Sequence, residues 1–321
     1  MEYVILVIAL AAVVVGADFL VDGAISIAKR YRVSDFVIGA AIVGIGTSMP
    51  ELVVSTIGAI GGNSDVAIGN VVGSNIFNVL AILGLTAMIF PVAIDRTNAK
   101  FEIPLCIFIS LLLLLLTFNF FNGTEPRLSR VDGLAFLGIF ACYMYYSFSR
   151  DRKNNSVTQV NINSSQSENE KVTPLGLAIL KVIGGLTVLI TGSHFFVEEA
   201  VVIATAWGVD EAFISITLIA CGTSLPELAA SVAAAAKKNT QLALGNIVGS
   251  NIFNITLILG LSSQITPLST SGITLTDYIV MICAAICPAV FSINKKIGRL
   301  GGALMFAGFI AYTIYLTNNQ I

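Results

Sequence analysis

The chain has 321 residues, 56% of them hydrophobic and 11% charged, with a net charge of −2 and a mean hydropathy of +0.89. That is too apolar for a soluble domain and too long for a single anchor, so the chain reads as an all-α polytopic membrane protein. No basic patch alternates with aromatics, which leaves nucleic acid out as a partner, and Cys106, Cys142, Cys221, Cys283 and Cys287 show no metal-ligand or disulfide-framework spacing and read as small core residues.

Only Glu2 stands between Met1 and the first apolar stretch, so the basic flank of a cleavable leader is missing and the first segment reads as a retained helix. Hydropathy, broken at charged or Gly/Pro/Asn-rich turns, gives ten spans near 3–22, 34–60, 65–90, 101–121, 131–149, 173–196, 210–236, 241–266, 275–293 and 298–317. The Asn- and Ser-rich stretch 150–172 reads as a linker too short for a folded regulatory domain, which divides the chain into 1–149, the linker, and 173–321. With the N-terminus outside, the inner loops carry Lys29, Arg30, Arg32, Arg96, Lys100, Arg150, Arg152, Lys153, Lys171, Lys237, Lys238, Lys295, Lys296 and Arg299, and the outer loops only Arg127 and Arg130. Lys181 snorkels at the inner end of the sixth span. Cytoplasmic loops retain positive charge, so both termini are predicted extracellular or periplasmic and the linker cytoplasmic.

The chain also repeats itself. A shift of 176 residues lays Ser34–Pro91 on Asp210–Pro267 without a gap, with 26 of 58 positions identical, and carries Gly16, Phe19 and Val21 onto Gly192, Phe195 and Val197. Each half is then a unit of five spans, and an odd number of spans makes the second unit enter from the opposite side: an inverted-topology repeat, the architecture of secondary transporters.

Two copies of one motif stand at membrane depth, Gly46-Thr47-Ser48-Met49-Pro50-Glu51 and Gly222-Thr223-Ser224-Leu225-Pro226-Glu227. An ionisable group is expensive there and functional by default. Pro50 cannot donate to the carbonyl of Gly46, and Gly44 and Gly46 tolerate unusual dihedrals. The helix is therefore predicted to break, freeing carbonyls near Gly44 and placing Thr47, Ser48 and Glu51 on one side. Pro226 with Ala220, Gly222, Thr223, Ser224 and Glu227 repeats the arrangement. In the third and eighth spans Ser74 and Asn78, and Ser250 and Asn254, are four residues apart and present neutral oxygens along one face. Carboxylate, hydroxyl, amide and carbonyl oxygens without imidazole or thiolate suit hard cations, calcium and sodium. A competing reading makes Ser48-x-x-Glu51 and Ser224-x-x-Glu227 capping boxes that only satisfy helix-start amides. Gly69, Gly73, Gly245 and Gly249 are expected to serve close helix packing.

At these residues the chain resembles the calcium/cation antiporter superfamily, and within it the sodium/calcium exchangers of prokaryotic type. The resemblance covers nearly the whole chain. It implies ten helices in two inverted five-helix repeats, with helices 2, 3, 7 and 8 broken or kinked around a diamond of four ion sites. It carries the shared calcium ligands onto Glu51 and Glu227. The surrounding hydroxyls and carbonyls fall on Thr47, Ser48, Thr223, Ser224, Gly44 and Ala220, the flanking sodium ligands on Ser74 and Ser250, and the remaining polar positions on Asn78 and Asn254. Potassium-dependent relatives place an aspartate in the second ion-binding helix where this chain has Asn254, and proton/calcium exchangers look like Gly-Asn-x-x-Glu where it has Gly-Thr-Ser-x-Pro-Glu.

Sodium is accordingly the expected coupling ion, in an electrogenic, monomeric antiporter that is not an enzyme and carries no cofactor; its partners are calcium, sodium and the lipid bilayer. The alternatives are a proton/calcium or potassium-dependent sodium/calcium antiporter of the same fold, and a passive cation channel. An intramembrane hydrolase using Ser48 or Ser224 lacks a general base, because His194 is the only histidine. Asp18, Asp22, Glu198 and Glu199 read as an outer vestibule or as solvated helix ends.

Overall fold

The computed structural model describes residues 2–118, 126–158, 173–207, 222–270 and 272–320. It is almost wholly helical: α1 Glu2–Tyr31, α2 Asp35–Thr47, α3 Met49–Ile60, α4 Ser64–Ile89, α5 Asn98–Phe118, α6 Arg130–Thr158, α7 Leu175–Ala206, α8 Leu225–Ala236, α9 Thr240–Ile265, α10 Leu275–Ser292 and α11 Arg299–Gln320. Among the described residues eight helices are long and apolar enough to cross a bilayer, and the bent pair α2 and α3 makes a ninth. The apolar helix α8 is shorter, and the segment 208–221 ahead of it lies outside the described residues.

Three boundaries differ from the sequence reading. α1 and α7 run past the expected ends at 22 and 196, to Tyr31 and Ala206; in α1, Asp22 finds lysine partners instead of ending the helix. α6 also enters the expected linker, continuing to Thr158.

Local chemistry sets the helix starts. Asn63 caps α4 by accepting from the amide of Val66, and Asn239 caps α9 by accepting from that of Leu242. The turns ahead of them need a left-handed residue, supplied by Gly62 at φ 73° and, at the equivalent place, by Lys238 at φ 61°. Two short antiparallel ribbons join early and late segments: β1 Val92–Ala93 pairs with β4 Lys296–Ile297, and β2 Arg127–Leu128 with β3 Leu268–Ser269.

The helices divide by burial. The most apolar stretch of α9 is 94% buried and that of α4 72%, against 33% for α1 and 28% for α7. α4 and α9 therefore form the protein-lined centre, where polar side chains escape lipid. α1 and α7 lie outside, packed on each other so closely that a Cβ at Gly16 would stand 2.6 Å from the Leu189 nitrogen, and one at Gly185 2.5 Å from that of Leu20. They share a separate apolar cluster with α8, in which Ala17, Ala24 and Ala28 meet Ala230, Ala234 and Ala235. Gly245 and Gly249 do serve close packing: a Cβ would lie 2.2 Å from the Phe36 carbonyl oxygen at the first and 2.5 Å from Ala40 Cα at the second. Gly69 meets only the Ile273 side chain, and Gly73 meets nothing among the described residues; residues 212–216, which the 176-residue shift matches to 36–40, lie outside them.

Candidate functional site

α2 and α3 meet at a 48° bend. The break falls at Ser48, with φ −83° and ψ 10°, just before Pro50 in the first turn of α3. The glycines do not make it, as Gly44 keeps helical dihedrals of −59° and −47°. Proline alone accounts for the break: it lacks the amide that would bond Gly46 and cannot sit inside the preceding turn. In the second copy Ser224 has φ −89° and ψ 7°, with Pro226 opening α8. Ala220 lies outside the described residues.

Neither serine caps its helix. The Ser48 hydroxyl donates to Glu227 Oε1 at 2.8 Å, and the Ser224 hydroxyl donates to Glu51 Oε1, also at 2.8 Å. The capping-box reading therefore fails, and each motif holds the carboxylate of the other. Both glutamates are fully buried, as are Thr47, Ser48, Ser224, Ser250, Asn78 and Asn254. Ser74 lies beside them, its hydroxyl 3.5 Å from Glu51 Oε1 and 3.2 Å from the Ser224 hydroxyl.

The carbonyl of Gly44 is not freed as expected. It accepts from the Ser48 amide at 3.1 Å, from the Thr47 hydroxyl at 3.4 Å and from the Ser250 hydroxyl at 3.3 Å. It thus joins α2 to α9 and stands with Ser250 and Thr47 in one cluster. The Thr47 hydroxyl also lies 3.2 Å from Asn246 Oδ1.

A second layer supports the first, and sequence reasoning missed it. Asn70 donates to the Glu51 carbonyl at 3.1 Å and to the Ser55 hydroxyl at 3.0 Å; Asn246 donates to the Glu227 carbonyl at 3.2 Å and to the Ser231 hydroxyl at 2.8 Å. Between α4 and α9, Asn75 and Asn251 donate to each other's backbone carbonyls at 3.3 and 3.2 Å. Asn78 donates to Asn251 Oδ1 at 3.0 Å and Asn254 to Asn75 Oδ1 at 3.1 Å. This consumes the amide nitrogens of Asn78 and Asn254 and turns their oxygens the other way. The signal was present, since Asn70, Asn75 and their mates recur at the 176-residue shift.

α4 and α9 place these asparagines where ordinary α-turns give way to wider π-turns, over Phe77–Leu83 and Asn254–Leu259. Such turns often mark functional positions.

The oxygens left over define the chemistry. Among the described residues Glu51 Oε2, Glu227 Oε2, Asn78 Oδ1, Asn254 Oδ1 and Thr223 Oγ1 are buried without a hydrogen-bond partner. Stranding such an acceptor costs about 1–3 kcal/mol, and more for a charged one. Four acceptor-only oxygens with nothing donating to them are what a cation needs. No cluster of three or more His, Cys, Asp or Glu occurs among the described residues. The arrangement is therefore two carboxylates completed by neutral oxygens, fit for hard cations rather than zinc or copper.

Thr223 also lines a cavity of about 620 Å³, with Met49, Pro50, His194, Val197 and Glu198 among its walls. Glu198 borders this cavity with its side chain 58% exposed, and His194 lies 3.8 Å away on the same helix. Asp18 and Asp22 do not line it; they pair with Lys237.

The sequence matches the family model described as sodium/calcium exchanger protein over residues 1–149 and 177–318. It is 35% identical over 322 residues to a candidate antiporter, CaxA, of Alkalimonas amylolytica, covering 98% of both chains. It is 31% identical over 344 residues to the sodium/calcium exchanger MaX1 of Methanosarcina acetivorans, again covering 98% of both. Among solved structures, the sodium–calcium exchanger NCX_Mj soaked without sodium and calcium superposes with a TM-score of 0.83 at 29% identity, covering 98% of both chains.

Proposed function

The chain belongs to the sodium/calcium exchanger protein family, and from that membership we propose that it exchanges sodium for calcium by alternating access, with Glu51 and Glu227 as the shared ligands of whichever ion is crossing. The observation that carries the reading is the cross-wired pair of buried carboxylates. Each is held through one oxygen by the serine of the other motif, and each keeps its second oxygen unpartnered. Around them Ser48, Ser224, Thr47, Thr223, Asn78 and Asn254 complete the calcium site. Ser74, and Ser250 with the Gly44 carbonyl, form flanking sodium positions, the second copy's carbonyl counterpart being Ala220.

Two ionised glutamates give the site a charge near minus two, which one calcium ion or two sodium ions cancel. A third sodium leaves it positive, so exchange of one calcium for more than two sodium ions moves net charge. Bare carboxylates in the membrane interior are costly, so the unloaded carrier resists switching sides, and that resistance makes it an exchanger rather than a leak. The alanine-lined contact of α1 and α7 with α8 is a smooth surface along which the outer pair slides while α4 and α9 stay fixed.

Ten spans in two inverted repeats, 1–149 and 173–321 around the linker 150–172, fit the gap-free internal match and the family match in two stretches. They fit the ribbons as well, since β1 and β3 are related by the same shift and each pairs with a strand from the other half. The basic residues put both termini outside the cell and the linker inside. A complete site within one chain supports action as a monomer.

Asn254, in place of an acid, favours potassium-independent exchange. Calcium uptake into proteoliposomes under sodium, potassium and proton gradients imposed one at a time tests the coupling ion. Uptake should follow the sodium gradient alone; uptake driven by the proton gradient alone would replace this reading with proton exchange.

A further inference from the structure

We propose that Asp18 and Asp22 on α1, with Lys237 directly after α8, form a charge clamp that pins the α1–α7 pair against the ion-holding helices on the inner side of the membrane, and that opens whenever ions are exchanged on that side. The inference rests on the alternating-access reading and adds to it the residues that keep one side shut.

Lys237 Nζ stands 2.6 Å from Asp18 Oδ1 and 2.5 Å from Asp22 Oδ1, and donates to the backbone carbonyl of Asp18 at 3.0 Å. Two aspartates four residues apart share a helix face and repel each other, so one ammonium seated between them relieves a repulsion as well as making two ion pairs. Asp22 is divided between two loyalties. Its Oδ1 faces Lys237, which belongs with α8 and the Glu227 motif; its Oδ2 lies 3.4 Å from Lys181 on α7.

α1 and α7 meet backbone to backbone at Gly16 and Gly185, so they move together and the Asp22–Lys181 contact survives the motion. The Asp22–Lys237 contact does not. A slide of one helical turn along the alanine surface carries the aspartates about 5.4 Å from the lysine. The Lys237 side chain is 26% exposed and that of Asp22 38%, so the pair is less screened than a pair on the open surface. At the other end of α7, His194 and Glu198 lie 3.8 Å apart on α7 itself and beside the 620 Å³ cavity that reaches Thr223, with no tie to another helix among the described residues, leaving that end free to open.

A clamp made in only one of two conformations sets their ratio by its own free energy, so removing it raises the inward-open fraction. The test is labelling from the inner side, in oriented proteoliposomes, of a single cysteine introduced as Ala28→Cys in a chain whose other five cysteines are replaced. Ala28 is 2% exposed in the α1–α8 contact. With a membrane-impermeant maleimide, Lys237→Met and Asp22→Asn should each raise the labelling rate by roughly two- to fivefold, the effect of a partly exposed ion pair worth up to about 1 kcal/mol. Lys237→Arg should keep the parent rate. Lys181→Met should not raise it, because that lysine travels with Asp22.

If the parent chain exchanges calcium for sodium and both Lys237→Met and Asp22→Asn label at its rate, the clamp is overturned. An equal rise in Lys181→Met would also overturn it, by reducing the effect to general loosening. If the parent exchanges no calcium, the transport reading itself falls, and the clamp with it.

Discussion

Replacing Ser224 by alanine separates ion ligation from helix capping. The Ser224 hydroxyl donates to Glu51 Oε1 at 2.8 Å in a fully buried place. A hydrogen bond to a charged group contributes about 1.5–3 kcal/mol, so the ion-free protein should lose stability of that order and melt several degrees lower. The bond persists when an ion binds, since the donating hydroxyl keeps its lone pairs for the cation, and it therefore cancels from the affinity. What does not cancel is the lost oxygen ligand and the lost orientation of the carboxylate, worth about 10–100-fold in metal affinity. The assay is thermal unfolding of the purified protein across a calcium titration, reading both the ion-free melting temperature and the calcium concentration that gives half of the full upward shift. Ser48→Ala should behave alike, because its bond to Glu227 is also 2.8 Å. Were the serines mere caps, stability would fall by about 1 kcal/mol with calcium affinity untouched. A lower melting temperature at unchanged calcium affinity in both variants would refute the reasoning.

Asn254→Asp adds a third negative charge where Asn254 Oδ1 is now unpartnered. Calcium should bind at least about tenfold more tightly and leave more slowly, since charge count tunes such sites. The calcium dependence and turnover of flux would reveal it, and an unchanged ion profile would count against Asn254 facing the ions. Gly249→Val places a side chain where a Cβ already meets Ala40 Cα at 2.5 Å, and should destabilise the protein by about 1–3 kcal/mol. Gly138→Ala, with nothing within 4 Å among the described residues, should leave melting unchanged. If more than two sodium ions exchange for one calcium, imposing 100 mV across vesicles should shift the equilibrium calcium ratio by about 2.3 kcal/mol per net charge, or roughly 50-fold. A ratio indifferent to potential would mean neutral exchange.

Much of this was legible in the sequence because duplication makes function visible. Pro50 and Glu51 reappearing as Pro226 and Glu227 at membrane depth identified the helix break and the charged centre. What one copy could not disclose was how the copies touch. Ser48 is three residues from Glu51, and local spacing set the two on one side of a helix, with a capping box as the competing reading, yet the hydroxyl reaches Glu227. Asn75 and Asn251 were visible as motif letters, but their reciprocal bonds arise only where α4 crosses α9, a tertiary fact without local period. Hydropathy misplaced the end of α1 for a related reason. It scores Asp22 as a charge that stops a span, whereas Lys181 and Lys237 neutralise it within a continuing helix.

The most direct measurement is equilibrium binding of radioactive calcium to the purified chain and to Glu51→Gln and Glu227→Gln, each checked for folding by its elution as a single species. Removing one charged partner from a buried site costs about 3–5 kcal/mol, so each variant should lose calcium affinity by about 10²–10⁴-fold. A folded variant of either glutamate that binds calcium as tightly as the parent would contradict the convergence of the two halves on one ion.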